Sequence, residues 1–248
     1  LIVQFGILGY GYVGKATHKG ILNNADAIIH DPLHNTERTI LRDAETVFVC
    51  LPTETEKHIR VVIAELQYLQ ALNPNVQFVI RSTLPLGTCE QIQKLVGDII
   101  YIPEFLRERY WETDCTKRPL VVGCDNMSLP EWLLAEHIHT CSTKEAELVK
   151  MYQNNLNVVK IAFANVFYDL AESVDADYDT VKNAFLKVQH DQTYLDVPGH
   201  DGTRGFGGKC LPKDLAFIIT TLDKHNINQN WFKHIRDLNK QWKQKHHV

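Results

Sequence analysis

The sequence predicts an α/β fold in which a doubly wound parallel sheet is followed by an all-helical domain. Three observations carry that expectation. Short β-rich apolar runs alternate with helical patterns through the first half of the chain. No glycine occurs between Gly123 and Gly199 and no proline between Pro130 and Pro198, so the middle lacks the residues that break helices. Most of the 13 glycines fall in two clusters, at positions 9, 11 and 14 and at 199, 202, 205, 207 and 208, which marks two loops where backbone must turn sharply or be approached closely.

The elements follow in order. Strands are predicted at Val3–Leu8, Ala27–His30, Thr46–Leu51, Gln77–Arg81, Asp98–Ile102 and Leu120–Gly123. Their near-continuous apolar character suits a sheet covered on both faces. Between them Ile59, Val62, Ile63, Leu66 and Leu69 keep helical spacing. From Thr143 the pattern changes. Leu148, Tyr152, Leu156, Val159, Phe163, Phe167 and Leu170 recur at steps of four and three, and Met151, Val158, Ala162 and Val166 add a second apolar flank. One long helix over 143–173 would extend about 45 Å, too far for one small domain to cover, so it is expected to be buried between neighbours and to serve as a dimer helix. The division is placed at 1–142 for the sheet domain and 143–248 for the helical one. Near the end, Trp231, Ile235, Leu238 and Trp242 share one face while Lys233, Arg236, Lys240, Lys243 and Lys245 lie elsewhere, as in a docked helix with a solvated basic face.

Composition narrows the function. The 248 residues are 44% hydrophobic and 23% charged with a formal net charge of −4, the profile of a globular protein without the positive field of a nucleic-acid binder. No apolar run approaches the roughly 20 residues that span a bilayer. The opening Leu1-Ile2-Val3 lacks a basic leader. The 6 cysteines are far apart with no CxxC pair, which suggests neither a disulfide framework nor a metal site. A cytoplasmic protein with no membrane or nucleic-acid partner is expected.

The first glycine cluster reads Gly9-Tyr10-Gly11-Tyr12-Val13-Gly14, after a predicted strand and before a helical stretch. Gly9 permits the tight turn, Gly11 lets backbone approach a pyrophosphate, and Gly14 allows close helix–sheet packing. The helix opening at Tyr12 and Val13 presents its N–H groups to phosphates. Asp31 ends the next strand, where a carboxylate accepts from a ribose 2′-hydroxyl and repels a 2′-phosphate. These residues predict a Rossmann-type site for NAD.

The second cluster reads Gly205-Phe206-Gly207-Gly208-Lys209-Cys210-Leu211-Pro212-Lys213-Asp214. A thiol beside glycines is open to close approach, and Lys209, Lys213 or a helix starting after Pro212 would favour its thiolate. The other five cysteines, Cys50 in an apolar strand among them, read as inert core residues.

With both clusters in hand, the chain resembles the UDP-glucose/GDP-mannose dehydrogenases. The resemblance rests on Gly9–Gly14, on Arg81-Ser82-Thr83-Leu84-Pro85-Leu86-Gly87, on Pro103-Glu104-Phe105-Leu106-Arg107-Glu108, on Ala146-Glu147-Leu148-Val149-Lys150 with Asn154, and on Gly205–Asp214. It implies an NAD-dependent, four-electron oxidation of a nucleotide sugar's primary alcohol to the carboxylate, with UDP-glucose the leading candidate, through a thiohemiacetal and a thioester on Cys210. It implies that Lys150 and Asn154 stabilise oxyanions, that Asp214 assists deprotonation, that Glu104 is the base for thioester hydrolysis, and that Thr83 positions water or substrate. Phe105, Leu106, Glu108 and Lys213 resemble substrate-site residues. It further implies a homodimer.

Three departures qualify the substrate. The family usually carries a third domain that grips the nucleotide, expected after Trp242, so another chain could complete that site. An arginine commonly reaches the sugar across the dimer from the loop before the cysteine. Here Asp191–Asp196 holds none, and Arg204 is the nearest candidate. The stretch Pro198–Arg204 is a variant loop. Two other readings stay open: a two-domain dehydrogenase of the 6-phosphogluconate or β-hydroxyacid type, which needs no thiol, and a non-catalytic NAD-binding remnant. His137 and His139 read as a surface pair.

Overall fold

Runs of three or four residues, mostly apolar, build the sheet in the computed structural model, which describes residues 4–31, 36–117, 119–133, 138–188 and 196–244. Val3, His137, residues 191–195, Lys245 and the side chain of Val166 lie outside the described residues. The chain divides into two compact units, Leu1–Lys150 and Met151–Val248.

In the first unit, β1 (Phe5–Leu8), β2 (Ala27–His30), β3 (Thr46–Val49), β4 (Gln77–Ile80), β5 (Ile99–Tyr101), β6 (Leu120–Gly123) and β7 (Ile138–Cys141) form one sheet in the order β2-β1-β3-β4-β5-β6-β7. Alternate residues feed opposite faces. Val47, Val49, Phe78 and Ile80 pack under α2 (Glu56–Leu72) and α3 (Thr88–Val96), through Val62, Leu66 and Ile92. Ile7, Phe48, Val79 and Ile100 pack on the other face, where Val13 of α1 (Tyr12–Gly20) joins them. Helices on both faces make the sheet doubly wound, as the alternation predicts. Thr55 caps α2, accepting from the His58 N–H at 3.3 Å.

Two features correct the sequence reading. The sheet is not wholly parallel: β6 runs antiparallel to β5, meeting it through Tyr101 and Gly123 alone. The connection passes through α4 (Trp111–Lys117), which packs on α1. There Gly20 is required, since a Cβ would overlap the Cys115 carbonyl oxygen. The chain therefore returns from the α1 side and enters β6 reversed. The strand β7 was not anticipated. Ile138-His139-Thr140-Cys141 exposes its central two residues on the sheet's outer edge, so it lacks the apolar run by which the other strands are read.

A single helix, α5 (Thr143–Ser173), follows with the limits that its periodicity predicts. The division between units falls within it, after Lys150. The second unit continues with α6 (Tyr178–Leu186), α7 (Cys210–Lys224) and α8 (Asn230–Gln244). Its core gathers Val158 and Ala162 of α5, Leu215 and Ile219 of α7, Ile235 and Trp242 of α8, and the loop residue Phe206. The two apolar flanks of α5 thus behave differently. Met151, Val158 and Ala162 are buried, whereas Tyr152, Phe163, Phe167 and Leu170 are exposed at 74, 56, 42 and 53%.

Candidate active site

The carboxyl ends of the parallel strands gather the first unit's site residues on one edge, the place where ligands bind such sheets. Gly9 follows β1 with φ +90°. A Cβ there would stand 2.7 Å from the Cys50 carbonyl oxygen, and one on Gly14 would overlap the Gly9 carbonyl. Gly11 is different: a Cβ on it would meet nothing within 4 Å. Gly9 and Gly14 are glycines so that the turn can close, and Gly11 leaves open space at the N-terminus of α1, as a bound pyrophosphate requires. Asp31 follows β2 and is buried, with Oδ2 accepting from the Tyr10 N–H at 2.6 Å. The acidic group and the glycine turn are therefore joined, and the arrangement fits a dinucleotide. Tyr12 and Val13 form the first turn of α1 as the motif predicts.

Thr83 follows β4 and is buried, its carbonyl accepting from the Thr53 hydroxyl at 2.7 Å. Glu104 follows β5 and is also buried. Its Oε2 accepts from the Leu106 N–H at 2.7 Å, and its Oε1 lies 3.2 Å from Lys150 Nζ. Lys150 also donates to the Glu104 main-chain carbonyl, and its ammonium sits 5.4 Å from the centre of the Phe105 ring. Lys150 is 2% exposed, so the ammonium and carboxylate are a buried pair rather than surface charges. Phe105 and Leu106 are half-buried, and Glu108 is exposed in a short 3-10 turn, Glu108–Tyr110.

In the second unit, Cys210 is the first residue of α7. The helix starts three residues earlier than a start after Pro212 would give. Cys210 therefore stands at the positive end of the helix dipole. Asp214 stands one turn further on and is 1% exposed. Its Oδ2 accepts from Asn154 Nδ2, its Oδ1 lies 3.5 Å from Lys213 Nζ, and its main-chain carbonyl lies 3.5 Å from Asn155 Nδ2. Cys210 and Asp214 share a face of α7, as Lys150 and Asn154 share a face of α5.

The remaining cysteines contrast with Cys210. Burial pushes the Cys50 thiol up to about 11, opposed by the nearby Arg81 charge. Burial likewise raises Cys89, Cys115, Cys124 and Cys141. None of the six is in a disulfide.

Arg204, the candidate for a sugar-binding arginine, is 7% exposed and paired within its own unit. Its Nη2 donates to Asp169 Oδ1 at 2.6 Å, and its guanidinium stacks 4.8 Å from the Tyr168 ring centre.

Two residues gain roles that sequence reasoning missed. Arg81 is buried, donating from Nε to Thr17 Oγ1 at 3.1 Å and from Nη1 to the Ile102 carbonyl at 2.7 Å. It thereby ties α1 to the strand end that carries Glu104. Glu147 accepts from the Gly87 and Cys89 N–H groups, both at 2.7 Å, and so caps α3 from α5. Burial raises its carboxyl and these N–H groups oppose that rise. The loop after Thr83, which ends at Gly87, is held in this way to the helix that carries Lys150.

A glycine turn at the switch of a doubly wound sheet, with a helical unit following on one long helix, is a Rossmann-type architecture. Residues 144–241 match the central domain of the UDP-glucose/GDP-mannose dehydrogenase family. UDP-glucose 6-dehydrogenase of Rickettsia conorii is 26% identical over 237 residues, covering 88% of this chain and 53% of that protein. UDP-N-acetyl-D-mannosamine dehydrogenase of Methanococcus maripaludis is 25% identical over 245 residues, covering 91% of this chain and 55% of that protein. The chain spans about half the length of the curated relatives it matches. Among solved structures, UDP-D-ManNAc dehydrogenase from Pyrococcus horikoshii shares the fold with a TM-score of 0.73 at 18% identity, over 97% of this chain and 69% of that one. Among the described residues, no helix is long and apolar enough to cross a membrane.

Proposed function

We propose that this chain carries the cofactor site and the catalytic groups of a nucleotide-sugar 6-dehydrogenase, which takes a sugar primary alcohol to the carboxylate in two oxidations. The observation that carries the reading is Cys210 at the first position of α7 with the buried Asp214 one turn behind it. A dehydrogenase that stops at one oxidation has no need of a thiol in that place.

NAD, when bound, supplies the hydride acceptor for both oxidations. Gly9, Gly11, Tyr12, Val13 and Gly14 hold its pyrophosphate, and Asp31 accepts from its ribose hydroxyls. Asp214, oriented by Asn154, takes the proton of the sugar hydroxyl through a water. Once the carbon stands at the aldehyde level, Cys210 Sγ forms a bond to it and the carbonyl π pair moves to oxygen. Lys150 and Asn154 stabilise that oxyanion. After the second oxidation the carbon is a thioester. Glu104 then takes a proton from water, whose oxygen attacks the acyl carbon. Collapse of the tetrahedral adduct breaks the C–S bond and returns the Cys210 thiolate with the sugar carboxylate. Thr83 positions that water, and Phe105, Leu106, Glu108 and Lys213 line the sugar.

UDP-glucose is the first substrate to test. A relative named for UDP-N-acetyl-D-mannosamine at similar identity makes N-acetylated sugars the second. The expected result with the right sugar is about two NADH released per sugar consumed, the stoichiometry of a four-electron oxidation. One NADH per sugar that persists after thiol alkylation would replace this reading with a single-oxidation dehydrogenase. NAD binding without turnover on any nucleotide sugar, even with candidate partner chains added, would make the chain a binding module.

The proposal includes a homodimer through α5. Tyr152, Phe163, Phe167 and Leu170 form an exposed apolar row on it, larger than isolated surface residues explain. Sedimentation is expected to give a dimer that Phe163→Glu/Phe167→Glu converts to monomer. A monomeric wild-type chain at micromolar concentration would defeat this part.

A further inference from the structure

We infer that Asn239 and Asn165 are positioning residues for the Cys210 thiol, two helix-borne amides that hold the backbone of the glycine loop leading into α7. The inference rests on the role proposed for Cys210.

The loop is intrinsically loose. Gly205 and Gly208 adopt φ +78° and +72°, and Gly207 lies between them. Glycine loses more conformational freedom on ordering than any other residue, so a fixed thiol requires attachments just upstream. The second unit supplies them. The Gly205 N–H donates to Asn165 Oδ1 at 3.0 Å, while Asn165 Nδ2 donates to the Ile161 carbonyl at 2.8 Å and so fixes which end of the amide faces the loop. The Phe206 N–H donates to Asn239 Oδ1 at 2.7 Å, and Asn239 Nδ2 donates to the Phe206 carbonyl at 3.0 Å. One amide thus pairs both polar groups of one residue, as a neighbouring strand would. The Phe206 ring is 3% exposed within the second unit's core. Upstream, Arg204 and Trp242 both bond Asp169, at 2.6 and 3.2 Å.

The residue types are matched to this task. Buried backbone N–H and C=O groups must be paired. An amide offers a donor and an acceptor from one rigid plane, whereas a carboxylate offers acceptors only. A Cβ on Gly205 would overlap Asn239 Oδ1, so the glycine at 205 makes room for the asparagine at 239. Asn165 and Asn239 are 1% and 9% exposed, so neither is a solvated surface amide.

The test is the iodoacetamide rate of Cys210, followed by peptide mass spectrometry on the full chain between pH 5 and 8, well below each variant's melting temperature. Asn239→Leu removes both hydrogen bonds. Its rate at pH 7 is expected to fall about tenfold from wild type as the thiol loses its fixed place at the helix N-terminus. Asn239→Asp lacks the donor when ionised but regains one when its carboxyl is protonated. Its rate relative to wild type at the same pH is therefore expected to rise toward one as the pH falls, while the Leu variant's ratio stays flat. Rates within twofold of wild type at every pH, with only a lower melting temperature, would overturn the inference and leave Asn239 a packing residue. NADH release by the wild-type chain separates the two levels. Its absence with every nucleotide sugar overturns the chemistry proposed for Cys210, whereas the alkylation ratios alone decide the role of Asn239.

Discussion

Cys210→Ala is expected to lower nucleotide-sugar oxidation by about four orders of magnitude or more, the scale on which removing a covalent nucleophile acts, while leaving NAD affinity unchanged. The two halves of that expectation come from different units. The glycine turn and Asp31 are held within the first by main-chain geometry and the Tyr10–Asp31 bond. Cys210 opens a helix of the second. Its side chain is only half-buried, so the change to alanine leaves no large cavity and stability is expected to move by about 0.5 kcal/mol or less. Loss of turnover in this variant therefore reports chemistry rather than folding. The check is NADH formation in the presence of substrate, with NAD titrated separately by calorimetry. A variant that still yields two NADH per sugar would end the thioester scheme, because the other thiol in the first turn of a helix, Cys89 of α3, is fully buried. Cys50 and Cys89 are core residues whose thiols burial pushes up.

The residues proposed to bear chemistry were legible directly where glycine marks them, whereas Lys150 and Asn154 on α5 were read only through the family resemblance. Gly9–Gly14 and Gly205–Asp214 stand out because closely spaced glycines interrupt strong periodicity. Six strands were read from apolar runs, within a residue or two at their ends. Direction was not readable for β6, since it depends on how α4 returns against Gly20 rather than on any property of Leu120–Gly123. Asn165 and Asn239 were missed because a polar residue on an amphipathic helix is ordinarily solvated. A signal was present all the same. Asn165 continues the buried row of Val158 and Ala162, and Asn239 falls between Ile235 and Trp242 on the buried row of α8. An amide in register with a core stripe must find a partner inside, and that partner was the glycine loop. Glu147 carries the same signal. It follows Ala146, faces inward on α5, and is answered by the N-terminus of α3.

Lys150→Met is expected to reduce kcat/KM by about a hundred- to a thousandfold, the range associated with losing one oxyanion-stabilising donor, and also to destabilise the fold. The second effect follows from the surroundings of the ammonium. Lys150 is 2% and Glu104 5% exposed, and the pair is closed at 3.2 Å with a further bond to the Glu104 main-chain carbonyl. Removing one member of a buried pair leaves the other charge in a poor environment, at about 3–5 kcal/mol. Methionine fills similar volume, so little of that loss comes from a cavity. The two effects separate in the double variant Lys150→Met/Glu104→Gln. Glutamine removes the stranded charge and keeps an acceptor for the Leu106 N–H, which Glu104 binds at 2.7 Å. Urea denaturation is therefore expected to show most of the lost stability regained. Activity is expected to stay low, since neither the oxyanion donor nor the hydrolytic base returns. If the single variant keeps activity within threefold of wild type, Lys150 is a structural counter-ion to Glu104 and the oxyanion role falls. If instead the double variant is as unstable as the single, the pair is not what holds this loop, and the Arg81 tie to the Ile102 carbonyl becomes the element that fixes Glu104.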